Sequence, residues 1–142
     1  MNKQARNLLQ QIGRTGRAMY AAFEYEVGHP LPRWRILQEL REHEGATQKQ
    51  LARQLQMDPG ALTRQMKALE AEGLVTRLSV PEDNRLTMVA LTPAGVALVD
   101  AAQPLRKAFT RKALKELPAE QLDTAMAVLK TLEERFRLMH RQ

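Results

Sequence analysis

The sequence predicts a mainly helical fold with one small β-hairpin, and three observations carry that expectation. Leu, Ala, Gln, Glu, Lys and Arg, which lose little rotamer freedom in a helix, dominate a chain that is only 4% aromatic. Apolar residues recur at three- and four-residue spacing through most of its length. One stretch, between Gly73 and Thr92, loses that period and reads instead as two extended runs around a turn. With 142 residues, 44% of them hydrophobic, the chain suits a single folding unit over 1–142.

The first element follows from Leu8, Ile12, Met19, Phe23 and Val27, with Leu9 and Tyr20 alongside: one long helix of about six turns. Gly28-His29-Pro30-Leu31-Pro32 breaks it, and Pro32 suits the first turn of a second helix holding Trp34, Ile36, Leu37 and Leu40. After Gly45, Thr47 and Gln50 stand in capping-box spacing and open a short helix with Leu51, Ala52 and Leu55 on one face. Asp58 as N-cap and Pro59 at N1 open the next, with Met57 facing Leu62 as a hydrophobic staple. Leu62, Met66 and Leu69 form its inner face, and Gly73 ends it, with Leu74 placed for the apolar contact of a Schellman turn.

Leu74–Leu78 and Leu86–Leu91 are the extended runs, and Pro81-Glu82-Asp83-Asn84-Arg85 reads as the loop between them. Thr92-Pro93 repeats the cap signal and opens a long helix containing Pro104, where a kink is expected. Pro118 restarts the pattern, and Leu122, Met126, Leu129, Leu132 and Phe136 line one face of a last helix.

Two short helices joined by a tight turn and followed by a hairpin make a winged helix-turn-helix, whose second helix enters a nucleic-acid groove. With Leu62, Met66 and Leu69 turned inward, Gly60, Thr63, Arg64 and Lys67 share the outer face. Gly60 permits close approach, Thr63 can donate or accept at a base edge or phosphate, Arg64 can take guanine bidentately, and Lys67 suits a phosphate. Arg85 in the hairpin can reach a narrow minor groove, with Asp83 orienting it.

Four stretches together resemble the MarR family of regulators: Leu31–Leu37, Thr47–Ala52, Leu62–Val75, and Asp83-Asn84-Arg85 followed by Leu91-Thr92-Pro93-Ala94-Gly95. The resemblance runs nearly the whole chain and implies an obligate homodimer, with residues 31–91 as the DNA-binding region and 1–30 and 92–142 as dimerisation helices. It implies duplex DNA as partner, Thr63 and Arg64 on the recognition helix and Arg85 in the minor groove. Thr47 and Gln48, which open the preceding helix, complete the expected DNA-binding set of Thr47, Gln48, Gly60, Thr63, Arg64, Lys67, Asp83 and Arg85. It also implies a pocket for aromatic or phenolic anions, for which Tyr20, Phe23, Trp34 and Leu37 are the candidate walls. The wing departs from the family in two places: Val80, not Asp, precedes Pro81, and Asn84 stands in place of the first of two paired arginines. Weaker wing contacts are the expected result.

A net charge of +6 suits a polyanionic partner. By segment the balance is 4 basic to 2 acidic residues over 1–30, 9 to 8 over 31–91 and 9 to 6 over 92–142, so no region stands out. With no cysteine, thiolate metal ligands and peroxide-sensing thiols are excluded. His29, His43 and His140 are dispersed, so no metal site and no cofactor are expected. No nucleophile elbow or phosphate loop occurs, which argues against an enzyme. No apolar run approaches a membrane span, and a cytoplasmic location is expected. The alternative is a winged-helix module that binds another protein and no DNA.

Overall fold

The computed structural model describes residues 3–140, excepting the side chains of Ala5 and Asn84. Its elements run α1 (Lys3–Val27), α2 (Leu31–Glu42), α3 (Gln48–Leu55), α4 (Pro59–Ala71), β1 (Val75–Val80), β2 (Asp83–Leu91), α5 (Pro93–Leu114) and α6 (Ala119–His140). This is the mainly α class with a two-stranded wing that the sequence predicts.

Local chemistry sets most boundaries. Thr47 and Gln50 form the capping box in full: the Gln50 amide donates to Thr47 Oγ1 at 3.0 Å and the Thr47 amide to Gln50 Oε1 at 2.9 Å. The Ala61 amide donates to Asp58 Oδ2 at 3.0 Å, which caps α4 immediately before Pro59. At the far end of α4, Gly73 takes φ 75°. The Gly73 amide reaches the Glu70 carbonyl and the Leu74 amide the Leu69 carbonyl, both at 3.0 Å, which is the Schellman pairing. Glycine suits this position because a Cβ is strained at positive φ.

Leu62, Met66 and Leu69 are fully buried with Ile36, Leu37, Leu51, Val75, Val89 and Val99, so one core runs beneath α2, α3, α4, the hairpin and the start of α5. Each such side chain contributes about 1.5–3 kcal/mol on leaving water. Backbone contacts divide the chain into two compact units, one up to Phe109 and one from Thr110. In the second, Glu116 turns the chain at φ 65°, and α6 buries no residue. Met126, Leu129 and Phe136 on its apolar stripe are about half exposed.

The hairpin differs from expectation. The strands pair from Val75 opposite Leu91 to Ser79 opposite Thr87, and then Val80 pairs with Asp83 across a bulge. Asp83 and Arg85 therefore belong to β2, and only Pro81 and Glu82 form the turn. Pairing beyond the apolar run extends the strands, and the bulge absorbs the residues that the sequence reading assigns to a loop. A further strand contact comes from outside the hairpin. The Val89 amide donates to the Ala46 carbonyl at 3.1 Å, and Thr47 bridges Met88. At Pro104, α5 continues as one helix.

Candidate nucleic-acid interface

The helix-turn-helix is held by contacts that span long sequence intervals. Arg33 on α2 grips Glu72 at the end of α4 through both terminal guanidinium nitrogens, at 2.5 and 3.0 Å. Arg35 Nη2 donates to the Leu55 carbonyl at the end of α3 (3.2 Å), and Arg77 Nη2 on β1 to Glu70 Oε1 (3.0 Å). Hydrogen bonds from Arg33 and Arg77 hold the Glu72 and Glu70 carboxyls below the usual carboxylate range, so both are charged at neutral pH. Arg41 on α2 pairs with Asp100 on α5 (3.0 Å).

Thr92 joins the wing to the end of α4. Its hydroxyl donates to the Gly73 carbonyl at 2.6 Å and accepts from the Gly95 amide at 3.1 Å, while its own amide donates to the Leu74 carbonyl at 3.0 Å. Gly95 then lies directly against that backbone: a Cβ built on it would stand 2.2 Å from the Leu74 carbonyl oxygen.

Of the expected DNA-facing residues, Gly60, Arg64 and Lys67 are exposed on α4. Thr63 shares that face but is half-buried, and its hydroxyl donates to the Pro59 carbonyl and accepts from Gln48 Nε2, both at 2.9 Å. Thr47 is occupied as the cap of α3. On β2, Arg85 Nε and Nη2 hold the Asp83 carboxylate at 3.0 and 3.2 Å, and the Arg85 amide adds a third bond at 3.0 Å. These bonds, the guanidinium's first, keep the Asp83 carboxyl below its ordinary range. The Arg85 side chain stays 89% exposed, so it is oriented without being covered.

Charge is sorted between helices in a way that segment totals conceal. Over residues 47–69 the only carboxylate is the cap Asp58, while Lys49, Arg53, Arg64 and Lys67 are all exposed. None of the four side chains makes a hydrogen bond or ion pair with another described residue, whereas those of Arg33, Arg41, Arg77 and Arg85 are all paired. Seven of the eight acids that balance residues 31–91 lie outside residues 47–69, three of them (Glu70, Glu72 and Asp83) paired with arginines, and these four cations of α3 and α4 are left without a carboxylate partner. Sequence reasoning missed Lys49 and Arg53; counting charge helix by helix would have found them.

The candidate ligand-pocket residues divide. Phe23, Trp34 and Leu37 are buried in the core, while Tyr20 on α1 is 45% exposed. Phe23 meets Trp34 at 6.3 Å between ring centroids and Phe109 edge-on at 5.3 Å; His29 stacks on Trp34 at 6.4 Å. Burial, and then the Arg33 charge, lower the pKa of His29. The histidines are less dispersed from carboxylates than the sequence reading has them. At one helical period on α2, Glu39, Glu42 and His43 bring ligand-type atoms within 4.8 Å of one another, with His43 Nδ1 3.1 Å from Glu39. Among the described residues no helix is long and apolar enough to cross a membrane.

Comparison with known proteins bears on the same elements. The sequence pattern of the MarR family matches residues 30–87, which run from the start of α2 into β2. An uncharacterised HTH-type transcriptional regulator of Bacillus subtilis, YdgJ, is 30% identical over 86% of this chain and 74% of its own length. The organic hydroperoxide resistance transcriptional regulator of the same organism is 35% identical over 72% of this chain and 69% of its own. Among solved structures, a MarR mutant from E. coli complexed with operator DNA superimposes with a TM-score of 0.82 at 25% identity, covering 91% of this chain and 95% of that one.

Proposed function

Because the chain belongs to the MarR family of transcriptional regulators, we propose that it is a repressor that binds a palindromic operator as a homodimer and is released by a small aromatic or phenolic compound. The observation that carries this reading is the unneutralised set Lys49, Arg53, Arg64 and Lys67 on α3 and α4, beside a wing whose Arg85 is already oriented by Asp83. Cations without a partner in the chain release counterions from phosphates; paired ones contribute less. Exposed apolar stripes support the dimer: Leu8, Leu9 and Met19 on α1, and Met126, Leu129 and Phe136 on α6, stay open in the single chain. Residues 1–30 and 92–142 would supply that interface, and a twofold pair would set its recognition helices roughly 34 Å apart, one turn of DNA. A ligand would stack on Tyr20, with Phe23, Trp34 and Leu37 forming the floor beneath it, and act by favouring a dimer with the wrong helix separation. The operator complex of the MarR mutant weighs against a protein-binding module without DNA.

Selection from a random duplex library at two salt concentrations, with the mass of the complex recorded, tests the reading. A palindrome held by two chains, with affinity falling steeply as salt rises, is the expected result. Binding that never enriches a sequence would overturn it. Within the selected operator, Arg85→Ala should weaken binding most where the flanks are A·T-rich, as read by anisotropy titration on paired duplexes. An equal loss on G·C-rich flanks would make Arg85 a plain phosphate contact.

A further inference from the structure

Among the residues expected to face DNA, two are spent on each other. Gln48, the first residue of α3, donates from Nε2 to Thr63 Oγ1 on α4, and the Thr63 hydroxyl donates back along its own helix to the Pro59 carbonyl. A hydroxyl has one hydrogen and two lone pairs. The Thr63 hydrogen is therefore committed within α4, and one of its lone pairs is taken by α3. The amide stands with its nitrogen toward Thr63, which matches a hydroxyl whose hydrogen is directed at the Pro59 carbonyl. The remaining Gln48 oxygen, Oε1, is shut away from solvent without a partner. An acceptor withheld from water is a cost, which the bond to Thr63 helps to offset.

The two helices also share the apolar core, to which α3 contributes Leu51, Ala52 and Leu55 and α4 Leu62, Met66 and Leu69. Such packing sets a distance between helices but is not directional. A hydrogen bond is directional, and this one grips α4 on the turn that carries Thr63, Arg64 and Lys67. Resting on the DNA-binding reading above, the structure assigns Gln48 a positioning role. Its amide fixes the rotation of α4 about its own axis, so that Arg64 and Lys67 meet the groove, and Thr63 serves as the anchor of that clamp and not as a base reader.

The test compares Thr63→Val, Gln48→Leu, the double variant and Thr63→Ser on the selected operator and on its single-base variants, with melting transitions recorded in parallel. Thr63→Val and Gln48→Leu should each weaken operator binding by about tenfold. The double variant should lose no more than either alone, and the loss should be spread over all base positions. Thr63→Ser, which keeps the hydroxyl, should bind as the parent does. Additive losses, or a Thr63→Val loss confined to one base pair, would overturn the assignment. A second readout needs no DNA: the side-chain amide protons of Gln48 should resonate downfield and exchange slowly in the parent chain, and return to free-amide values in Thr63→Val. Free-amide values in the parent would refute the clamp itself, whereas a parent that selects no duplex would count against the proposed function and leave the clamp to the amide signals.

Discussion

Adding a single methyl group at Gly95 is expected to destabilise the chain by about 3 kcal/mol. The new Cβ would stand 2.2 Å from the Leu74 carbonyl oxygen and 3.1 Å from Leu91 Cδ2. The tip of Leu91 can give a little, but the backbone oxygen does not yield cheaply. The Leu74 carbonyl accepts the Thr92 amide at 3.0 Å, and the Leu74 amide closes the Schellman turn of α4. Relief would have to come from shifting α5 away from the hairpin, which would open the core at Val99 and Val89, both buried. Gly16 supplies the control: it lies within α1 with nothing within 4 Å of a built Cβ, and alanine there should stabilise by about 0.5–1 kcal/mol. Urea unfolding followed by helical circular dichroism reads both. A Gly95→Ala midpoint equal to that of the parent would mean that the close approach has slack.

Arg64→Ala should cost about 1–3 kcal/mol on the selected operator and relax the preference at one base position. The guanidinium is exposed on the outer face of α4, one turn beyond Gly60, and makes no hydrogen bond or ion pair with another described residue. It is therefore free to spend its forked donors on guanine, where geometry distinguishes the correct base from the others. Lys67→Ala, by contrast, should weaken all sequences about equally and flatten the salt dependence. The profile of binding across single-base operator variants separates the two. A uniform loss for Arg64→Ala would place this side chain on the phosphate backbone.

Much of the fold was legible because its boundaries are set by neighbours in sequence. Thr47 with Gln50, Asp58 with Pro59, Gly73 and Thr92 each satisfy or close a helix end within a few residues, and each does so in the structure. What could not be read lies in contacts between distant segments. The extent of the hairpin depends on pairing across it, which carries Asp83 and Arg85 into β2. The Ala46 contact with Val89 depends on a loop meeting a strand. The Arg33–Glu72 and Arg41–Asp100 pairs join residues 39 and 59 positions apart, and the nearly neutral segment total concealed the cations of α3 and α4 because seven of its eight acids fall outside residues 47–69. At the site itself, helical period put Gly60, Thr63, Arg64 and Lys67 on one face, but it could not tell that Thr63 answers to Gln48.

The wing is fastened at its base, by Ala46 against Val89 and by Thr92 against Gly73 and Leu74. Within one protomer, then, the tip that carries Arg85 and the helix that carries Arg64 behave as the two prongs of a stiff fork. Neither prong can be retuned without dragging the other. In the dimer proposed above, the adjustable quantity is the gap between two such forks, as between the jaws of a caliper. Substitutions that alter a prong should change which letters are read, and substitutions far from the DNA should change only whether the jaws fit.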